Sequence, residues 1–150
     1  MRKLLMSLLT VSLFLGGSGS SMLAADQSAR ALLDDRAREV NRSAKEQGMP
    51  LTLKRISTET GVPLEQVQSM HKRHSDIGPA GLLIACVLAN DTKKEPEVFM
   101  KRRASGKTWT SIAKENKVSL EKLNARLDRL DTAIGEDNSK DRDTRKNKSR

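Results

Sequence analysis

Along the chain, the apolar positions form one unbroken run near the start, then a series of thin stripes. Leu4 to Leu15 is almost wholly apolar. From Asp26 to Gln47, Ala29, Leu32, Leu33, Ala37, Val40 and Ala44 recur three and four residues apart amid dense charge, the spacing of a helix with a narrow apolar stripe. Gly48-Met49-Pro50 ends it. A stripe made mostly of alanine predicts weak docking, so residues 26–50 read as a charged amphipathic helical arm. Beyond it the punctuation is regular: Gly61-Val62-Pro63, Ile77-Gly78-Pro79, Lys94-Glu95-Pro96, Gly106, Ser119 and Gly135. Proline suits a first helical turn, and Gly61, Gly106 and Gly135 suit the left-handed residue just past a helix end. This predicts helices near 52–60, 63–74, 79–90, 96–105, 108–116 and 119–134. No window alternates apolar and polar residues, so strands are not expected. The fold class that follows is all-α, with short helices stacked as helical hairpins over residues 51–135.

The chain also resembles itself. Ile56-Ser-Thr-Glu-Thr-Gly-Val62-Pro-Leu64-Glu-Gln-Val67 aligns without gaps to Ile112-Ala-Lys-Glu-Asn-Lys-Val118-Ser-Leu120-Glu-Lys-Leu123, 56 residues later. A weaker copy runs from Leu88 to Phe99, 32 residues after the first and 24 before the last. Each copy reads as a helix, a tight turn and a second helix, a hairpin that buries its apolar face only by stacking on its neighbours. Gly81 to Ala89 is apolar all round and marks a central helix contacted from every side. Leu120, Leu123, Leu127, Leu130 and Ile134 form a seam matched by Val67, Met70, His74 and Ile77, which predicts packing within the chain. The alternative is a homodimer through residues 120–134. Residues 136–150 contain no apolar side chain and read as a disordered charged tail.

Composition changes this picture in two ways. The 150 residues carry 28 Lys and Arg against 19 Asp and Glu, with two Phe, one Trp and no Tyr. That is one small, basic, aromatic-poor domain with tails, and it excludes a large enzyme. The start of the chain joins Met1-Arg2-Lys3 to the apolar run and then to a small-residue stretch ending Leu23-Ala24-Ala25. This is the pattern of a signal peptide over residues 1–25. The run is too short to span a bilayer as a helix, which needs about 20 residues, so no transmembrane segment is expected after processing. The expected location is outside the cytosol, periplasmic or secreted. With a single Cys no intramolecular disulfide can form, and Cys86 inside the apolar Leu82–Ala89 stretch reads as a buried, inert thiol.

Two resemblances enter here. Gly78-Pro-Ala-Gly-Leu-Leu-Ile-Ala-Cys-Val-Leu-Ala89, followed by Phe99 to Gly106 and Trp109-Thr-Ser-Ile112-Ala113, resembles a group of uncharacterised exported bacterial helical proteins with a Gly-x-x-Trp-x-x-Ile-Ala motif. The likeness also takes in Thr58 to His74, so it covers about half the chain, and it implies no activity. It departs from the pattern at Thr108, Thr110 and Lys117, where those proteins usually carry Gly. Residues 106–124 are also similar to the LysM module, and that resemblance implies binding of peptidoglycan or chitin glycans. LysM needs a strand on each side of its two helices, whereas Phe99 to Ser105 and Ala125 to Ile134 read as helices here.

The same hairpin spacing looks like a helix-turn-helix reader of nucleic acid, with Glu65, Gln66, Gln68, Ser69, Lys72 and Arg73 as its exposed face. Export argues against that partner. His71, His74 and Asp76 could share a helix face around a metal, but a structural zinc site wants four N or S ligands and the chain has no other His. Asp34 and Asp35 read as solvated carboxylates, and no nucleophile set is spaced for catalysis. No enzyme activity, cofactor or metal is expected. What remains is a basic cluster, Lys101, Arg102, Arg103, Lys107, Lys114 and Lys117, around Trp109, which is either a core anchor or a stacking platform. The expected function is non-catalytic binding in the bacterial cell envelope, with anionic envelope polymers or an envelope protein as partner.

Overall fold

The computed structural model describes the backbone of residues 20–148 and the side chains of residues 33–136. It contains seven helices and no strand among the described residues: α1 (Ser20–Gln47), α2 (Met49–Thr60), α3 (Leu64–Arg73), α4 (Gly78–Thr92), α5 (Pro96–Ala104), α6 (Trp109–Glu115) and α7 (Leu120–Lys148). The all-α class and the stacking of helices are as expected. Residues 1–19 of the expected export segment lie outside the described residues, and residues 20–25 form the first turns of α1. No helix among the described residues is long and apolar enough to cross a membrane.

The punctuation works largely as read. Pro79 and Pro96 sit in the first turns of α4 and α5, where a missing N–H costs nothing. Gly61 and Gly106 take positive φ of 72° and 94°, closing α2 and the turn after α5. Thr108 caps α6 by accepting the Ser111 N–H at 3.1 Å. Pro50, read as a stop, instead opens α2, so a single residue, Gly48 at φ 97°, separates α1 from α2.

The core is organised around α4. Every residue from Pro79 to Ala89 is buried, and each of the other six helices packs against this one. An apolar helix with no polar face has to be surrounded, and the bundle supplies that. Each Leu, Ile or Phe removed from water here contributes about 1.5–3 kcal/mol. Cys86 is fully buried in the same helix, and burial pushes its thiol up to about 12, so it stays protonated and unreactive at neutral pH.

Two expectations change. The first is the arm: Leu33, Val40 and Ala44 are buried and α1 packs on α7, α4, α2 and α6, so residues 33–47 belong to the core. The alanine stripe does not weaken docking, because short side chains let helix axes approach closely. Arg36 Nε donates to Asp128 Oδ1 at 2.7 Å, and Ser43 Oγ to Asp131 Oδ1 at 2.7 Å, tying α1 to α7 along that contact. The second is the tail: the backbone of α7 stays helical through Gly135 to Lys148. Gly135 is not in the left-handed region, and the sequence beyond it sets acids three or four residues before bases (Glu136 and Lys140, Asp141 and Arg145), a spacing that supports an exposed helix. The seam packs within the chain as expected: Leu123, Leu127, Leu130 and Ile134 are all fully buried. They pack against α1, α2 and α4, so these four side chains are used within the chain.

The internal repeat is real in three dimensions. Ile56, Leu88 and Ile112 occupy equivalent positions and are all fully buried, as are Val67, Phe99 and Leu123. Between them the chain turns through a left-handed residue each time: Gly61 at φ 72°, Lys93 at 58° and Lys117 at 57°. One corner geometry is used three times, twice without glycine.

Candidate functional site

The last turn of α5, the α5–α6 turn and α6 form a ridge that carries most of the cations singled out in the sequence. Its base is apolar: Phe99 and Met100 of α5 and Trp109, Ile112 and Ala113 of α6 are buried. An α-helix returns a side chain to the same face every three or four residues, so burying these positions turns Lys101 and Lys114 to solvent. Arg102 and Lys107 converge on one carboxylate. Arg102 Nη2 and Lys107 Nζ each lie 2.7 Å from an oxygen of Glu115, and Ser111 Oγ donates to it at 3.3 Å. The hydrogen bond from Lys107, followed by the charges of Arg102 and Lys107, outweighs partial desolvation and holds the Glu115 carboxyl below its ordinary range.

Arg103 does something different. Its guanidinium lies 6.0 Å from the centroid of the Trp109 ring, and Nη1 donates to the Lys107 carbonyl at 3.1 Å. It covers the ring and fastens the turn at once. Lys117 stands just past the C-terminal end of α6, exposed and left-handed, while Lys107 precedes its N-terminal end. The structure therefore brings Arg102, Arg103 and Lys107 together and places Lys117 at the α6–α7 corner, past the other end of α6. Sequence reading missed Lys94 there, whose Nζ donates to Asn116 Oδ1 at 2.9 Å. The repeat register was the signal that could have found it, since it puts Lys93 and Lys94 in the corner equivalent to Lys117 and Val118.

Trp109, included among the candidate binding residues, is 3% exposed. Its ring faces are taken by the core and by Arg103, so it anchors the ridge and is not a stacking platform. Gly81 makes room for it: a Cβ there would clash with Ile77 Cγ2 and come 3.0 Å from Trp109 Cζ2, so glycine lets both side chains lie against α4.

The remaining sequence candidates are placed as follows. Glu65, Gln66, Gln68, Ser69, Lys72 and Arg73 are all exposed on α3 while Val67 and Met70 are buried; Arg73 reaches Glu97 of α5 at 2.7 Å. His71 and His74 are half-buried, and no group of three His, Cys, Asp or Glu suited to a metal occurs among the described residues. Residues 106–124 are flanked by helices α5 and α7, where a LysM module has strands. No protein-family model, curated protein or solved structure matches the chain.

Proposed function

We propose that the chain is an exported, non-catalytic binding protein of the bacterial cell envelope that holds an anionic partner on the ridge formed by α5, the α5–α6 turn and α6. The observation that carries this reading is the grouping of Arg102, Arg103 and Lys107 around the end of α5 over a buried apolar base, with Glu115 pairing two of them and Lys101 exposed on the same last turn. Cations on a rigid base keep their mutual spacing, and a polyanion gains from several of them at once. Glu115 neutralises part of the charge and holds Arg102 and Lys107 in place in the free protein. The export pattern of residues 1–25 puts such a surface where envelope polymers and anionic headgroups are the abundant anions. Isolated cell envelopes sedimented with the purified protein test the idea. Binding is expected to fall steeply from low salt to a few hundred millimolar, where charges more than about a Debye length apart are screened. Replacing Lys101, Arg102 and Lys107 together by Gln should lower binding at low salt to the level seen at high salt. Binding that ignores both salt and the triple substitution would sink the reading.

A further inference from the structure

Beside the ridge, between α1, the α3–α4 turn and the α5–α6 turn, opens a cleft of about 600 Å3. That is the size range of small-molecule sites. Asp34, Arg38 and Asn41 line one side, on positions that share a face of α1. Asp76 and Arg103 line the others, with an edge of Trp109 between.

The acids of this cleft differ from those that tie helix to helix. Glu59, Asp91, Glu97, Glu115 and Asp128 each hold a cation. Asp34 and Asp76 have no ion-pair or hydrogen-bond partner among the described residues, in a chain with 28 bases to 19 acids. Arg38 is engaged by Asp35, outside the cleft's acids. The guanidinium of Arg103 is likewise without a carboxylate, with a single N–H bonded to a main-chain carbonyl. Uncommitted charges of both signs therefore line one cavity without closing on each other.

We propose that this cleft binds a short peptide with both termini free, its ammonium held by Asp34 and Asp76 and its carboxylate by Arg103, against the edge of Trp109. A purely anionic ligand would leave the two carboxylates unpaired, and a purely cationic one would leave Arg103 unpaired. A zwitterion satisfies both, and the cavity is larger than a single amino acid fills. The cleft shares Arg103 with the ridge, whereas Asp34 and Asp76 belong to the cleft alone, so variants at those two carboxylates distinguish this proposal from envelope binding.

The chain's only tryptophan lies at the cleft and it has no tyrosine, so intrinsic fluorescence reports on the site directly. Tri-alanine titrated into the full chain, followed by emission and by calorimetry, should bind saturably. N-acetyl-tri-alanine, which lacks the ammonium, and tri-alanine amide, which lacks the carboxylate, should each bind roughly tenfold or more weakly. The double variant Asp34→Asn, Asp76→Asn should lose a similar factor for tri-alanine while its unfolding transition stays put, because neither carboxylate has a partner to lose. No heat or emission change up to about 10 mM tri-alanine overturns the proposal. So do capped peptides that bind as tightly as the free one, or a double variant that binds like the native chain.

Discussion

The first and last copies of the repeat share a backbone plan and differ in what they do with their charge. Glu59 and Glu115 are equivalent positions, and both are met by two cations. Glu59 takes Arg126 and Arg129 of α7, at 3.3 and 3.5 Å, and so fastens the long helix to the end of α2. Asp91, the same position of the middle copy, takes Lys122 of α7 at 2.6 Å. Glu115 instead takes Arg102 and Lys107 of the neighbouring turn, at the surface. Two copies spend their acid closing the bundle, and the third spends it arranging a cationic ridge. A position's role within a repeat is thus set by which helix passes over it.

The largest effect that would break this comparison lies at Leu53 and Trp109, equivalent positions buried to 5% and 3% exposure. Trp109→Ala should cost about 3–5 kcal/mol and Leu53→Ala about 2–5 kcal/mol, measured by urea unfolding. Only the tryptophan variant should also reduce envelope binding, because it removes the base beneath Arg103. Equal binding by both variants would separate the ridge from its anchor.

The corners come next. Gly61 and Lys117 both sit in the left-handed region, where a side chain costs roughly 1–2 kcal/mol. Gly61→Ala should therefore destabilise by about that amount, while Lys117→Gly should be neutral or stabilise by up to about 1 kcal/mol, the gain being offset by the entropy of glycine in the unfolded chain. Opposite signs in denaturant midpoints would confirm that the copies share a geometry and differ in how well their residues suit it.

Smaller again is the pair Thr52 and Thr108. Thr108 caps α6, so Thr108→Ala should cost about 1 kcal/mol. Thr52, inside α2, bonds back to the Gly48 carbonyl at 3.2 Å, and Thr52→Val should be tolerated better, since shape is kept and no cap is lost. Thermal melts of the two variants compare them directly.

The smallest effect is electrostatic. The Glu115 carboxyl titrates below its unfolded value, so its contribution to stability is present above the ordinary glutamate range and is lost as pH falls through the lowered native value. The native chain should exceed Glu115→Gln in stability slightly at neutral pH. The two should converge in acid, in melts taken from neutral to strongly acidic pH.

Much of the fold was legible because helix punctuation is local chemistry. Gly61, Gly106, Pro79 and Pro96 act within one turn of themselves, and the all-apolar stretch of α4 needs no partner's identity to predict burial. The misreadings came where neighbours decide. Ala37 and Ala44 look too small to dock a helix until the bundle closes over them, and the alternating charges after Gly135 look like a tail until the preceding helix nucleates them. The basic cluster was legible as charge and not as arrangement: no spacing rule places Arg103 on Trp109 or Glu115 between Arg102 and Lys107. Asp34 and Asp76, 42 residues apart, share a cleft that no local spacing announces.

Taken alone, the sequence determined the helical class, the approximate helix bounds, the buried axis at α4 and the threefold corner, because each follows from spacing and backbone preference over a few residues. Only the tertiary structure decided that α1 joins the core, that the leucine seam of α7 is consumed within the chain, and which cations are tied and which acids are left alone. Those outcomes depend on distances between helices far apart in the chain, and side-chain periodicity carries no information about them.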